Sequence, residues 1–355
     1  MKTKRLLITV IAVVIIAVIA VFGIIKIKGY LPYYFDKKGI NQPDISYTLT
    51  IEKSDFENEV ALRLEKEGII VSAVRFLGYI HETYPDFVWY NGTYNLTADM
   101  SYKELCEKLK NPDERIDYVK FTVPEGKNIR GIAKIIEESG LCTADEFLKA
   151  ADSYDYDYAF IDDLKARDQS LISYKLEGYL FPATYEFRRD TVTPSEIVDK
   201  MLAAFDGYVT DTIIKKADDM GLTVNELISF ASVIQAEAFS KESMKNISSV
   251  FWNRLNSNHT RQLQSDPTTT YAKTLKTLPH YTEAMYKAYN TYNCIGIPVG
   301  PINSPGMDTI EAVLDPVDSN WFYFVTDSNG KFYYNETLNG HNSTIRSLKN
   351  QGLWG

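Results

Sequence analysis

The chain has 355 residues, a formal net charge of -9 and a pI near 5.1. That length can bury a full core and hold more than one domain, and the acidic balance excludes a nucleic-acid binder, which needs a basic surface against phosphate. The composition is ordinary for a globular protein, with 45% hydrophobic and 24% charged residues, except for 25 tyrosines beside 17 Phe and 4 Trp. Sugar-stacking grooves and drift on exposed strands and loops account equally well for that excess.

In chain order, the first signal is the run "LLITVIAVVIIAVIAVFGII" at 6–25, without charge or proline. It has the roughly 20 residues that a helix needs to cross a bilayer. It lacks the A-x-A site that closes a signal peptide. The expectation is a single N-terminal transmembrane helix, with residues 1–5 cytoplasmic because Lys2, Lys4 and Arg5 precede the span. The rest of the chain would lie outside a cell membrane. Residues 26–45, with Pro32 and Pro43, read as a stalk.

Residues 46–122 read as a small α+β module. "SYTLTIEK" alternates as a half-buried strand, and "FENEVALRLEKEGI" is an amphipathic helix closed near Gly68. Asn91-Gly92 predicts a tight turn. Ser101 with Glu104 predicts a capping box opening a short helix. "VKFTVPEGKN" then gives a strand and a turn, followed by a helix ending at Gly140, and 141–220 is largely helical around "LEGYLFPATYEF". "WFYFVTDSNGKFYY" predicts a C-terminal hairpin. The expected fold class is therefore α+β: anchor, small module, then a mixed α/β domain over 123–355 with a mainly helical core. Cys106, Cys142 and Cys294 are too widely spaced for a disulfide framework or a zinc site.

The run "TVNELISFASVIQAEAF" opens with a capping box, Thr223 and Glu226, and carries Glu237 on nearly the same face as Phe230. A carboxylate on that face needs a partner or a raised pKa. Two readings stand: an ion pair, for instance with Arg254 on the following helix, or a general acid kept protonated by an apolar wall. Downstream, "RQLQSDPTTTYA" clusters Gln264, Ser265, Asp266 and Thr268 about Pro267, and "NTYNCIGIPVGPINSPG" is a hydrogen-bond-rich loop suited to a sugar groove.

These stretches, in this order, resemble the YceG-like (MltG-type) family of membrane-anchored endolytic peptidoglycan transglycosylases. The resemblance rests on the anchor, "VPEG", "LEGYLFPATYEF", "ASVIQAE", "VFWNRL", "LQSDPTTTYA", the 290–306 loop and "YFVTDSNGKFYYNETLNGHN". It implies a LysM-like glycan-binding module at 46–122 and a catalytic domain at 123–355. The family's catalytic glutamate falls on Glu237. The earlier glutamate of its pattern is Gln235 here, and the intervening basic residue is Ala236.

The implied reaction cuts the β-1,4 bond from N-acetylmuramic acid to N-acetylglucosamine in nascent glycan strands. It leaves 1,6-anhydro ends, ends strand elongation, and needs no cofactor or metal. A muramidase-type hydrolase and a catalytically silent glycan-binding scaffold are the alternatives. Expected partners are glycan strands, the cell membrane and peptidoglycan synthases. Expected substrate contacts are Gln264, Asp266, Asn253, Glu177, Asn290, Tyr292 and Asn303. Asp266 has an Asp-Pro turn as its plain alternative. Glu177 has a pairing with Lys175 or a helix cap. His341 reads as structural.

Overall fold

The computed structural model describes residues 33–39, 44–258 and 261–354. The expected span at 6–25 lies outside them. No helix among the described residues is long and apolar enough to cross a membrane. Two of the longer ones, Pro194–Tyr208 and Lys241–Leu255, have 15 residues each, about 22 Å of helix against a hydrocarbon core of about 30 Å. The expected fold class is corrected accordingly to a mixed α/β fold with a helical core. Its transmembrane helix, the single-pass placement and the cell membrane as partner are withdrawn.

The chain divides into two compact units between Asp117 and Tyr118. The first contains β1 (Ser46–Ile51), α1 (Glu57–Lys66), α2 (Ala73–Thr83), β2 (Gly92–Thr97) and α3 (Tyr102–Leu109). β1 and β2 pair antiparallel, from Ser46 opposite Thr97 to Ile51 opposite Gly92. The period-2 pattern turns Leu49, Ile51, Tyr94 and Leu96 inward onto Leu64, Phe76, Ile80 and Leu105. Ser101 and Glu104 form the capping box of α3. Residues 33–38 of the expected stalk are helical and pack on this unit. The Asp36 carboxylate accepts from the Val71 N–H at 3.0 Å, and Tyr33 meets Tyr102 edge-on.

The tight turn expected at Asn91-Gly92 is not formed. Two helices separate the paired strands, so no hairpin is needed there. Gly92 instead opens β2 with φ +146°, and a Cβ at that position would collide with the Arg115 side chain.

The second unit begins with β3 (Tyr118–Thr122), whose antiparallel partner is β4 (Thr184–Arg188). That pairing draws the strand into this unit, ahead of the 122/123 boundary expected from sequence. Between them lie α4 (Ile129–Ser139), capped by Asn128 and ended by left-handed Gly140, α5 (Ala144–Ala151) and α6 (Phe160–Ala166). After β4 come α7 (Pro194–Tyr208), α8 (Asp211–Asp219) and α9 (Val224–Glu237). α9 is the axis of the core: Leu227 through Ile234 are buried without interruption, so it is enclosed on all sides.

α10 (Lys241–Leu255) and α13 (Met307–Leu314) pack on α9 and on each other. Between those two in sequence are α11 (Asp266–Thr274) and α12 (Glu283–Tyr289). The C-terminal hairpin forms as expected, β5 (Tyr323–Thr326) on β6 (Phe332–Asn335), and α14 (Leu338–Asn350) follows. Asp327 organises its turn by accepting from the N–H groups of Asn329 and Lys331.

Candidate active site

Glu237 is the last residue of α9. Ala238 turns extended, and the N–H groups of Phe239 and Ser240 both donate to Ser243 Oγ, at 3.1 and 2.9 Å. The chain therefore leaves a fully buried helix at a fixed corner, with a half-buried carboxyl on its final turn. Burial pushes the Glu237 pKa up. The Ser265 hydroxyl opposes that, the Asp266 charge adds to it, and Arg254 pulls it back. Ser265 Oγ donates to Glu237 Oε1 at 2.6 Å.

The loop that presents Ser265 is anchored from three directions. Arg254 Nη1 donates to the Leu263 carbonyl. The Gln264 N–H donates to the Thr291 carbonyl at 3.2 Å, and the Ser265 N–H to Thr291 Oγ1 at 2.9 Å. Thr268 Oγ1 donates to the Ser265 carbonyl at 2.6 Å and lies 2.8 Å from Thr291 Oγ1. Gln264 is held at φ +52°, the only left-handed non-glycine among the described residues. Such strain persists where the surroundings over-determine it.

The ion pair between Glu237 and Arg254, open as a reading of the sequence, is not formed. Arg254 commits its donors to backbone carbonyls, those of Leu263 and of Phe322 at 2.7 Å, and its guanidinium lies 5.4 Å from the centre of the Tyr323 ring. It acts on Glu237 as a distant charge.

The remaining residues singled out in sequence fall into two sets. Gln264 and Asp266 are exposed beside Ser265, and Tyr292 is 45% exposed. The Tyr292 hydroxyl donates to Asp266 Oδ1 at 2.9 Å, and burial together with that carboxylate pushes its pKa up to about 12. The other set is tied into the protein. Asn290 is buried, accepting from Thr269 and from the Tyr292 N–H and donating to Tyr286. Asn303, also buried, donates to the Ser232 carbonyl on α9 at 2.8 Å. Asn253 donates to the carbonyls of Ser319 and Trp321.

Glu177 is 1% exposed and caps α4, its Oε1 accepting from the Ile129 N–H at 2.9 Å and its Oε2 from the Tyr271 hydroxyl at 3.0 Å. The carboxyl thus has no face towards a groove, and Lys175 pairs with Asp152 instead. The His341 ring stacks on Tyr323, and burial lowers its pKa.

Sequence reasoning gave no role to Thr268, named only within the polar cluster, or to Thr291, and these two lock the Ser265 loop. Ser265 itself stood in the polar cluster without a role. The available signal was hydroxyl residues flanking Pro267 with no apolar period to explain them.

Gln235 answers to a different helix. Its Oε1 accepts from the Gly306 N–H at 2.9 Å and the Thr309 hydroxyl at 2.6 Å, so it holds the start of α13. The Glu125 carboxylate lies where a Gly306 Cβ would stand, and the Gly126 N–H donates to the Ser304 carbonyl at 2.8 Å. "VPEG" and "NSPG" therefore meet on the last turns of α9. A glutamate at 235 would keep both acceptor bonds and add a negative charge near Glu125 and Glu237. Gln235→Glu is expected to raise the Glu237 pKa, read by NMR titration of the Glu237 side chain as an upward move of its midpoint. A midpoint that stays in place or moves down contradicts this.

Residues 49–347 match the YceG-like family. Two Streptococcus pneumoniae proteins (strains D39 and R6), each named endolytic murein transglycosylase, are 31% identical over 338 residues, covering 86% of this chain and 59% of theirs. The Bacillus subtilis (strain 168) protein of the same name is 30% identical over 310 residues, covering 83% of this chain and 82% of its own. The chain thus spans about three fifths of the length of the pneumococcal relatives (59%). A crystal structure of a yceG-like protein from Listeria monocytogenes aligns with a TM-score of 0.55 and 28% identity, over 84% of this chain and 98% of that one. By the span of the family match and the identity to these relatives, the chain belongs to the YceG-like family.

Proposed function

We propose that the chain is an endolytic peptidoglycan transglycosylase that cuts the β-1,4 bond from N-acetylmuramic acid to N-acetylglucosamine with Glu237 as its single acid and base. The observation that carries this reading is the half-buried Glu237 carboxyl, lifted in pKa and oriented by one hydroxyl donor, Ser265. With Oε1 accepting from Ser265, the proton belongs on Oε2. It passes to the glycosidic oxygen as the bond to C1 breaks, and the leaving N-acetylglucosamine end departs as an alcohol. The Glu237 carboxylate then takes the proton of the muramoyl 6-hydroxyl while that oxygen attacks C1. A 1,6-anhydro ring closes, no water is consumed and Glu237 is again protonated. Ser265 supports the carboxylate stage, since its bond favours the charged form.

The named activity of the pneumococcal and Bacillus relatives supports this reading. On it, the module at 46–122 is a LysM-like glycan-binding unit, and Gln264, Asp266 and Tyr292 line the substrate groove. The strands met would be nascent ones, alongside the synthases that make them.

A second reading draws on Asp266, whose charge acts on Glu237. A hydrolase would use Glu237 as acid and Asp266 as base or nucleophile. Mass spectrometry of products from uncrosslinked strands separates the two. The lyase is expected to leave only anhydro ends. Ends heavier by one water establish the hydrolase. Intact strands at every pH leave a silent glycan-binding scaffold.

A further inference from the structure

The chain just past Glu237 has a different chemistry from the Ser265 loop. Phe239, two residues past Glu237, is 76% exposed, the most exposed aromatic ring among the described residues. Its exposure does not come from a loose backbone. The Phe239 and Ser240 N–H groups are held by Ser243 Oγ, which also donates to the Ser240 carbonyl at 2.8 Å within the capping box of α10. An apolar ring on a fixed stretch of backbone is thus turned to solvent at the corner where the chain leaves Glu237.

One flank of that ring is supported. Phe332 lies 5.8 Å away between ring centres, Tyr334 stacks on Phe332 at 6.1 Å, and Trp321 stacks on Tyr334 at 4.6 Å. These three are half-buried. The Asn253 bond to the Trp321 carbonyl and the Arg254 bond to the Phe322 carbonyl fix the segment entering β5 relative to α10, and β6, which carries Phe332 and Tyr334, is paired to β5. The loop bonded to Glu237 offers Ser265, Asp266 and the Tyr292 hydroxyl. The segment just past Glu237 is aromatic, and the loop bonded to Glu237 is made of hydroxyl and carboxyl groups. A pyranose ring has the matching halves, an apolar C–H face and a rim of hydroxyls.

We propose that Phe239, backed by Phe332, Tyr334 and Trp321, is a sugar-stacking platform that seats one pyranose ring of the glycan strand beside Glu237. This rests on the glycan reading given under Proposed function. The backbone that carries the ring is held in advance, so little main-chain freedom is lost when the sugar arrives, and the contribution of the ring appears as affinity. It forms no bond to the reacting atoms.

Two measurements on the full chain, with uncrosslinked glycan strands as the probe, test this. Binding is compared between Glu237→Gln and Glu237→Gln/Phe239→Ala, where no turnover intervenes. Kinetics are compared among wild type, Phe239→Ala and Phe239→Trp. The expected result is affinity weaker by about 5- to 20-fold without the ring, with KM raised to match and a smaller change in kcat. Phe239→Trp restores KM, and the pH profile of kcat/KM keeps its shape, which separates a platform from a shield over Glu237.

Phe239 is exposed, so its removal leaves the core intact. Binding within twofold of the parent overturns the platform and returns Phe239 to other uses, such as a protein contact. If wild type neither binds nor cleaves these strands, the glycan reading itself falls and the platform with it. If wild type does both and Phe239→Ala matches it, only the platform falls.

Discussion

Glu237→Gln is expected to lower turnover on glycan strands by about 10³-fold, within the range general acid–base catalysis contributes, while leaving the fold and strand binding in place. The amide keeps an acceptor oxygen for the Ser265 hydroxyl, and its shape matches the carboxyl it replaces. What it lacks is a proton to give and a charge to receive one.

The stability effect has a definite sign. Burial raises the folded-state pKa of Glu237 above its ordinary value of 4.5, so the native protein holds a proton that the unfolded chain has released. The stabilisation is complete below the unfolded pKa and is lost as pH rises through the folded one. Because the amide does not titrate, the Tm of Glu237→Gln relative to wild type should rise as pH rises. Retained turnover, or loss of turnover accompanied by a lower Tm, defeats the assignment of Glu237 as acid and base.

The second large effect belongs to Glu177, which we place in the scaffold. Its carboxyl receives the first N–H of α4 and the Tyr271 hydroxyl, and Tyr271 in turn meets Ser173 Oγ at 2.9 Å beside Tyr289. Glu177→Leu strips the acceptor from two buried donors and is expected to cost roughly 2–4 kcal/mol, a fall of about 5–15 °C in Tm for a unit of this size.

Burial also lifts the Glu177 pKa to about 8, opposed by the Ile129 and Tyr271 hydrogen bonds. The native state therefore keeps its proton between pH 4.5 and 8 while the unfolded chain does not. The Glu177 contribution is full below 4.5 and declines as pH rises, by at most about 1.4 kcal/mol per unit. Glu177→Gln cannot titrate, so the difference between wild type and this variant in denaturant midpoint should fall steadily from pH 5 to pH 8. Parallel curves over that window would refute the buried protonated carboxyl.

Local chemistry carried much of this fold into the sequence. The capping boxes at Ser101 and Thr223 form as written, because both partners lie within one helical turn. The Asp-Ser-Asn-Gly hairpin forms for the same reason. The period of α9 placed Phe230 in the core, where it is buried, whereas Glu237, read on nearly the same face, is the half-buried last residue of the helix. Partners across the chain were not legible. Glu237 meets Ser265 28 residues on, and Glu177 meets Ile129 and Tyr271 at separations of 48 and 94. A periodicity or turn signal spans about ten residues and carries no record of such contacts. Asn91-Gly92 failed in the complementary way: a local turn preference yielded to a strand pairing closed around two helices.

Asn253 and Arg254, neighbours on α10, grip the protein through main-chain carbonyls, those of Ser319, Trp321, Phe322 and Leu263. Main-chain carbonyls are present whatever side chains the sequence supplies. The loops held in this way can exchange their exposed residues freely while the carboxyl and its hydroxyl partner stay in register. On the proposed reading of Glu237 as the acid, diversification of the surrounding surface is thereby uncoupled from its placement. Variation among relatives should concentrate in the exposed side chains of Asp318, Asn320 and Gln264, with residues 253 and 254 held constant.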